Sequence, residues 1–457
     1  MYSRDFVNHS FRFCNDNSCL ILLKMANTDI NSTSNKTTEY LSKMSHMWSL
    51  FGIRNLWIKN VYDTNFFKHM HRFGTFCMFI MFTSEISAFF TQTKLSEKQS
   101  SDLIMFILSH GILISSSIAP EYYKEEIRQL LITLCITLKN VYNDQEIEQR
   151  MIKRANFYSF GYLLTCCVAL FSHGGTFTTI ITGWPDIEET SIQSNLIRFI
   201  FYLIWWIFIA RISTSFTLAI FTTIAISHQF KNLQSYFYKL NDIFDNENEE
   251  THRQKEIKYE QSLKVGINLH SQTIQCTEQC QKTCSTIISA EILLNICVFA
   301  FLMLQMVKSE RTLLNLLATV STATCILSTT GFLMWNAGDI TIEAAFVPTA
   351  MFSSGWQHCR GDTSKRVRTL LTLAMSQGQV VKNVRCKSAD FFLRDFYTYN
   401  PWRRICFSSY DLSYGTDAIH GLELFDEAIK VEKQVICVLF VSKCQPPTIS
   451  ASYSRHQ

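Results

Sequence analysis

Ile197–Ser227 reads IRFIFYLIWWIFIARISTSFTLAIFTTIAIS. Arg198 and Arg211 carry its only charges. The run exceeds the roughly 20 residues that a helix needs to cross a bilayer. It is apolar on every face, which separates it from the amphipathic helices of soluble domains. Five further stretches of the same character lie near 73–93, 101–119, 157–181, 286–307 and 312–335. Six spans therefore organise the chain, and the expected fold class is all-α, a polytopic membrane helical bundle.

Charge then orients the bundle. The link at 120–156 holds Lys124, Arg128, Lys139, Arg150, Lys153 and Arg154, and the link at 228–285 is equally basic. The stretch after 335 adds Arg360, Lys365, Arg366 and Arg368. The alternate links are poor in base, with none at 182–197. Basic loops stay in the cytoplasm, so the N-terminus is expected inside. Arg54, Lys59, Lys68 and Arg72 ahead of the first span agree. That orientation is inverted relative to a G-protein-coupled receptor, the competing reading from another class.

Composition fits a membrane protein. Of 457 residues, 47% are hydrophobic and 13% aromatic; charged residues make up 18%, below the about 25% of soluble domains. The net charge of +4 follows topology, and no basic run is interleaved with aromatics as nucleic-acid binding requires. Cys19–Leu23 is too short for a signal-peptide core. Sequons stand at Asn8, Asn31 and Asn35, on the side where no glycan is added. The 16 cysteines follow no disulfide framework. Cys276, Cys280 and Cys284 share one helical face, read as packing rather than a metal site.

Residues 1–43 are polar and expected to be a disordered tail. The membrane domain is placed at 44–390, and 391–457 forms a divergent C-terminal segment. Leu41, Met44, Trp48, Phe51 and Trp57 make an amphipathic stretch that suits either the membrane interface or the bundle's cytoplasmic end. Within the first basic link, Ile127, Leu130, Leu131, Leu134 and Leu138 form a helical stripe. The cytoplasmic helices are expected to extend from the spans. Asn336-Ala337-Gly338-Asp339 reads as a turn. Val367, Leu370, Leu371, Leu373, Ala374 and Met375 form a further stripe. A seventh span is expected beyond it and is not found; Val435–Val441 is too short.

No catalytic signature is present: there is no phosphate-cradling glycine loop, metalloprotease helix or nucleophile elbow. No enzyme, cofactor or metal is expected. The informative polar groups are those inside the spans, where they are costly. They are Glu85, His110, His173, Arg211, Glu291, Asn295 and Asn336. Arg211 is expected to face the interior and pair with Glu85 or Glu291. Toward the outer half, Met105, Phe106 and Ser109 come together with His173, Phe177, Thr178, Tyr202, Trp205 and Trp206. This set suits a mostly apolar pocket with a few orienting polar groups, fitted to a small volatile or lipophilic ligand. Ordinary packing and an interfacial aromatic belt are the alternative.

Several features together resemble the insect odorant receptor family. They are the inverted topology, His228-Gln229-Phe230 with Leu233 after the fourth span, and Leu269-His270-Ser271-Gln272 before the fifth. After the sixth come Ala337-Gly338-Asp339, Ala344-Ala345-Phe346 and Trp356, then Arg366-Val367-Arg368, Leu370-Leu371 and Met375–Gln379. The resemblance covers about 40–388. It implies a ligand-gated cation channel in the cell membrane, assembled as a tetramer with a co-receptor subunit. It also implies a ligand pocket in the outer half of the spans and a pore lined by each last helix. Gly52-Ile53-Arg54-Asn55 departs from the family's Gly-x-Trp-Pro. After Phe391-Phe392 the family's pore-helix pattern is lost, so a receptor that does not conduct is expected unless a further apolar helix follows. A gustatory receptor is the nearest alternative.

Overall fold

The computed structural model describes residues 35–50, 65–92, 94–177, 181–245, 251–308 and 313–379. The divergent segment at 391–457 and most of the N-terminal tail lie outside this set. Among the described residues the chain is nearly all helical, with no strand. The long helices are α1 (Lys36–Leu50), α2 (Asn65–Thr91) and α3 (Glu97–Tyr122). After them come α4 (Lys124–Ile132), a π-helical turn at Thr133–Thr137 and α5 (Leu138–Val141). The remainder are α6 (Gln145–Phe177), α7 (Ile192–Lys239), α8 (Asp242–Asp245), α9 (His252–Lys308), α10 (Leu313–Phe352) and α11 (Gly361–Gln379). Helical stretches at Lys68–Thr91, Gln99–Tyr122, Ile192–Asp245 and His252–Met303 are long and apolar enough to cross a membrane. The spans expected at 157–181 and 312–335 fall on α6 and α10, which adjoin undescribed residues.

α7 is the axis of the bundle. It packs against α2, α3, α6, α9 and α10. Every residue from Arg211 to Phe230 is buried, which explains why that stretch lacks a polar face. α9 runs for 57 residues, about 85 Å at 1.5 Å per residue, nearly three times a bilayer's apolar thickness of about 30 Å. The link helices are thus continuations of the spans, as the sequence implied. Two main apolar cores result among the described residues, beside a small cluster at Ala88 and Leu103. The larger lies at the long-link end and contains the whole stripe Ile127, Leu130, Leu131, Leu134 and Leu138, with Cys276, Cys280 and Cys284. The smaller lies toward the short-loop end, around Met78, Met105, Trp205 and Phe208.

Two expectations change. Residues 36–43, read as tail, form the first turns of α1, where Leu41 is fully buried. The polar residues there are used rather than solvated. Glu148 Oε1 accepts the Thr37 backbone N–H at 2.9 Å and the Thr37 hydroxyl, so a carboxylate from α6 stands at a helix N-terminus, which favours negative charge. Lys139 donates to Thr37 and to Glu148, the latter at 3.3 Å. Burial pulls Lys139 below its ordinary pKa, opposed by Cys135 and Glu148. Burial would raise Glu148, but the Thr37, Lys139 and Asn143 interactions outweigh it and hold the carboxyl below its ordinary value. Trp48 Nε1 donates to Thr217 of α7 at 3.1 Å, so α1 packs on the bundle. Phe51 and Trp57 lie outside the described residues.

The turn expected at Asn336–Asp339 is absent, and α10 runs through it. Asn336 donates to the Phe332 carbonyl at 2.7 Å, and Asp339 pairs with Arg154 of α6. Ile340 and Val347 are buried on the following turns. Tertiary packing thus outweighs the helix-breaking preference of Asn and Gly, about 1 kcal/mol for the glycine. α10 ends instead near Gly355, whose φ of 90° lies in the left-handed region open to glycine.

Candidate functional site

α2, α3 and α7 meet in the smaller core, where Glu85, His110 and Trp205, one from each, converge. Glu85 Oε1 lies 2.6 Å from His110 Nδ1, and Trp205 Nε1 lies 3.2 Å from His110 Nε2. All three residues are at most 5% exposed. The indole N–H can only donate, so His110 Nε2 is an acceptor. The imidazole is then neutral, its proton sits on Nδ1, and Nδ1–H donates to Glu85. Glu85 Oε2 is buried and has no hydrogen-bond partner among the described residues. Rings close around the imidazole: Phe106 stacks on it at 5.6 Å and Phe208 meets it edge-on at 4.9 Å.

Of the residues named from the sequence, Met105 and Phe106 enter this core. Ser109 is buried beside them, but its hydroxyl donates to the Phe106 carbonyl of its own helix at 3.1 Å. Tyr202 and Trp206 pack against the core from α7, their rings 6.2 Å apart, and Phe171 of α6 meets Trp206 at 5.1 Å. His173 and Phe177 lie on α6 with side chains outside the described set, and Thr178 is outside it altogether. Phe208 was not anticipated, because within an all-apolar run nothing marks one face. The Glu85–His110 pair was missed as well. Two ionisable residues on consecutive spans were its signal, and Arg211 drew the pairing away.

Arg211 is buried, as expected, but it reaches neither Glu85 nor Glu291. It donates to Thr75 Oγ1 at 2.8 Å and to the His71 carbonyl at 3.2 Å. The reason is depth. Thr75 and Glu85 are ten residues apart on α2, about 15 Å along the axis, beyond an arginine's reach.

The segment after α6 closes the short-loop end. Gln92, just past the end of α2, donates to the carbonyls of Thr182 and Pro185 at 3.1 and 3.3 Å and accepts from Ile187 N–H at 3.2 Å. Ile181 is buried in the smaller core. A Cβ on Gly183 would stand 2.8 Å from Ser87 Cβ, so only glycine lets this strap lie flat on α2. Arg198 holds it from α7 through the Asp186 carbonyl at 2.7 Å. Beside it, Glu188 bridges to Lys94 at 2.8 Å.

An open cleft of about 690 Å³ lies at the opposite end, between α6, α7 and α10. Its lining is charged: Lys231 pairs with Glu343 at 3.3 Å, and Gln234 donates to the Glu343 carbonyl at 2.8 Å. It lies apart from the apolar pocket expected from the sequence.

These described residues define a class, the polytopic helical membrane proteins. The chain belongs to the 7tm Odorant receptor family, whose sequence model matches residues 122–388, more than half its length. Among solved structures it is similar to the insect olfactory receptor OR5 from Machilis hrabei, at 12% identity and a TM-score of 0.61, over 76% of this chain and 91% of that one. It is also similar to the structure of that receptor in complex with eugenol, at 12% identity and a TM-score of 0.62, over 86% and 98% of the two chains. These likenesses concern the fold. Comparison with curated protein sequences gave no match. The chain is thus a transmembrane receptor of the olfactory type.

Proposed function

We propose that this chain is an odorant receptor subunit of the cell membrane, with its N-terminus in the cytoplasm, that detects small lipophilic ligands and performs no catalysis. The smaller core carries the reading: an aromatic and methionine-rich interior with one buried polar centre, near the short-loop end. Met105, Phe106, Ser109, Tyr202 and Trp206 belong to its ligand site, and His173, Phe177 and Thr178 are assigned to the same region. The solved relative in complex with eugenol supports a ligand of similar size. The inside N-terminus is supported by Asn35, whose amide nitrogen donates to the Cys135 carbonyl at 2.9 Å and is thereby engaged rather than offered to a glycan.

In this reading the chain assembles with a co-receptor subunit, as a tetramer, into a ligand-gated cation channel. The pore is expected from residues beyond α11, where 391–457 depart from the family pattern. The test is ligand-evoked current in cells expressing this chain with and without a co-receptor. Current that requires both chains supports the reading. Surface delivery of both chains with no current from any of a broad set of volatiles removes the channel assignment.

A further inference from the structure

The polar centre of the smaller core is incomplete, and what it lacks indicates what it binds. Ionisable groups inside a membrane bundle are costly and are generally kept for function. Here Glu85 receives one hydrogen bond, from His110 Nδ1–H at 2.6 Å. His110 cannot give a second, because its other nitrogen accepts from Trp205 at 3.2 Å. Ser109 turns its hydroxyl to its own helix. Ser84 spends its hydroxyl on the Ile181 carbonyl at 2.9 Å. Glu85 Oε2 is thus a buried acceptor with no donor among the described residues, inside a cluster of aromatic and methionine side chains.

We infer that Glu85 Oε2 is the polar recognition point of the ligand site, and that this receptor takes small apolar molecules bearing a hydrogen-bond donor, a hydroxyl or an amino group. The inference rests on the ligand pocket proposed above and gives it a chemical class. Trp205 and His110 act as positioning residues: the indole fixes the imidazole tautomer, and the imidazole holds Oε1, so that Oε2 alone is left to the ligand. A site with a buried, otherwise unpaired acceptor rejects an isostere lacking the donor far more strongly than an apolar pocket rejects a change of shape.

The test uses the full chain in lipid nanodiscs and measures headspace partitioning of volatile probes against empty nanodiscs. The probes are 1-octanol, its isomer heptyl methyl ether, and 2-octanone. The expected result is 1-octanol bound at least tenfold tighter than the ether, the effect of one hydrogen bond to a buried carboxyl. In Glu85→Gln, the amide oxygen takes the His110 bond and the NH₂ occupies the former Oε2 position. A donor then replaces the acceptor, and the order should invert, with 2-octanone preferred over 1-octanol. Equal binding of alcohol and ether to the wild type overturns the inference and leaves the pocket standing. That comparison needs no variant, so it decides the matter even where Glu85→Gln fails to fold. An alcohol preference that survives unchanged in a folded Glu85→Gln also overturns it. No binding of any probe above empty nanodiscs overturns the pocket itself.

Discussion

Replacing Glu148 with alanine should release the first turns of α1 and destabilise the long-link end by about 3 kcal/mol. The magnitude follows from what the carboxylate holds. It accepts from Thr37 N at 2.9 Å, from the Thr37 hydroxyl, from Lys139 at 3.3 Å and from Asn143 at 3.0 Å. The side chains of Lys139 and Glu148 are 8% and 3% exposed. Removing one member of a buried pair strands the other charge, at a cost of about 3–5 kcal/mol. Lys139 keeps its bond to Thr37, which places the estimate at the lower end. Leu41, Met44 and Trp48 remain buried, and side chains of that size contribute about 1.5–3 kcal/mol each. α1 therefore stays docked by its apolar face while its N-terminal turn opens. The assay is hydrogen exchange across 36–50, with thermal unfolding of the chain in nanodiscs. Glu148→Leu combined with Lys139→Met removes both charges and should come back to within about 1 kcal/mol of wild type. Wild-type exchange in Glu148→Ala would refute the clamp. So would a double variant as unstable as Glu148→Ala.

The same carboxylate sets a pH dependence. Its folded pKa is depressed below 4.5, so its contribution is present above the unfolded value and is lost as pH falls through the folded one. Exchange of the Thr37 amide, corrected for intrinsic rate, should therefore rise only below about pH 4.5. Lys139, also depressed, is a charged group penalised by folding, and its penalty is relieved as pH rises through its folded pKa toward 10.5. Gly266→Ala would put a Cβ 2.7 Å from Phe237 Cε1 and 2.8 Å from Tyr236 Cε1; overpacking of this kind costs about 1–3 kcal/mol, readable as a lower unfolding temperature. Arg211→Met should be tolerated to within about 1 kcal/mol, because a buried cation that donates to Thr75 and a carbonyl, with a coulombic contribution from Glu121, repays little of its desolvation; a large loss of stability would show that its charge is needed. Gln92→Ala removes three hydrogen bonds from the strap at 182–187 and should speed exchange of the Ile187 amide, without changing exchange in α1.

The helical elements were largely legible because membrane spans are long runs of one character. The stripe from Ile127 to Leu138 was readable because each of its residues faces one core, and the π-helical turn at Thr133–Thr137 does not break that face. Boundaries that depend on partners were not. The polar stretch at 36–43 reads as tail, since nothing local reveals that Glu148, more than a hundred residues away, stands at its helix N-terminus. Asn336–Asp339 reads as a turn, since nothing local reveals Arg154.

For the site, residue types and depth were visible but pairings were not. Met105, Phe106, Tyr202 and Trp206, grouped from the sequence, share one apolar core, while the Glu85–His110–Trp205 chain was not read. The sequence by itself located four long apolar helices among the described residues, a charge asymmetry between their links and the odorant-receptor resemblance, because a bilayer acts on each segment separately through its own length and polarity. Only the tertiary structure decided that Glu85 meets His110 rather than Arg211, and that one carboxyl oxygen is left without a donor. Those outcomes depend on the axial offset and rotation of α2, α3 and α7 against one another, set by packing between helices, which no single helix encodes.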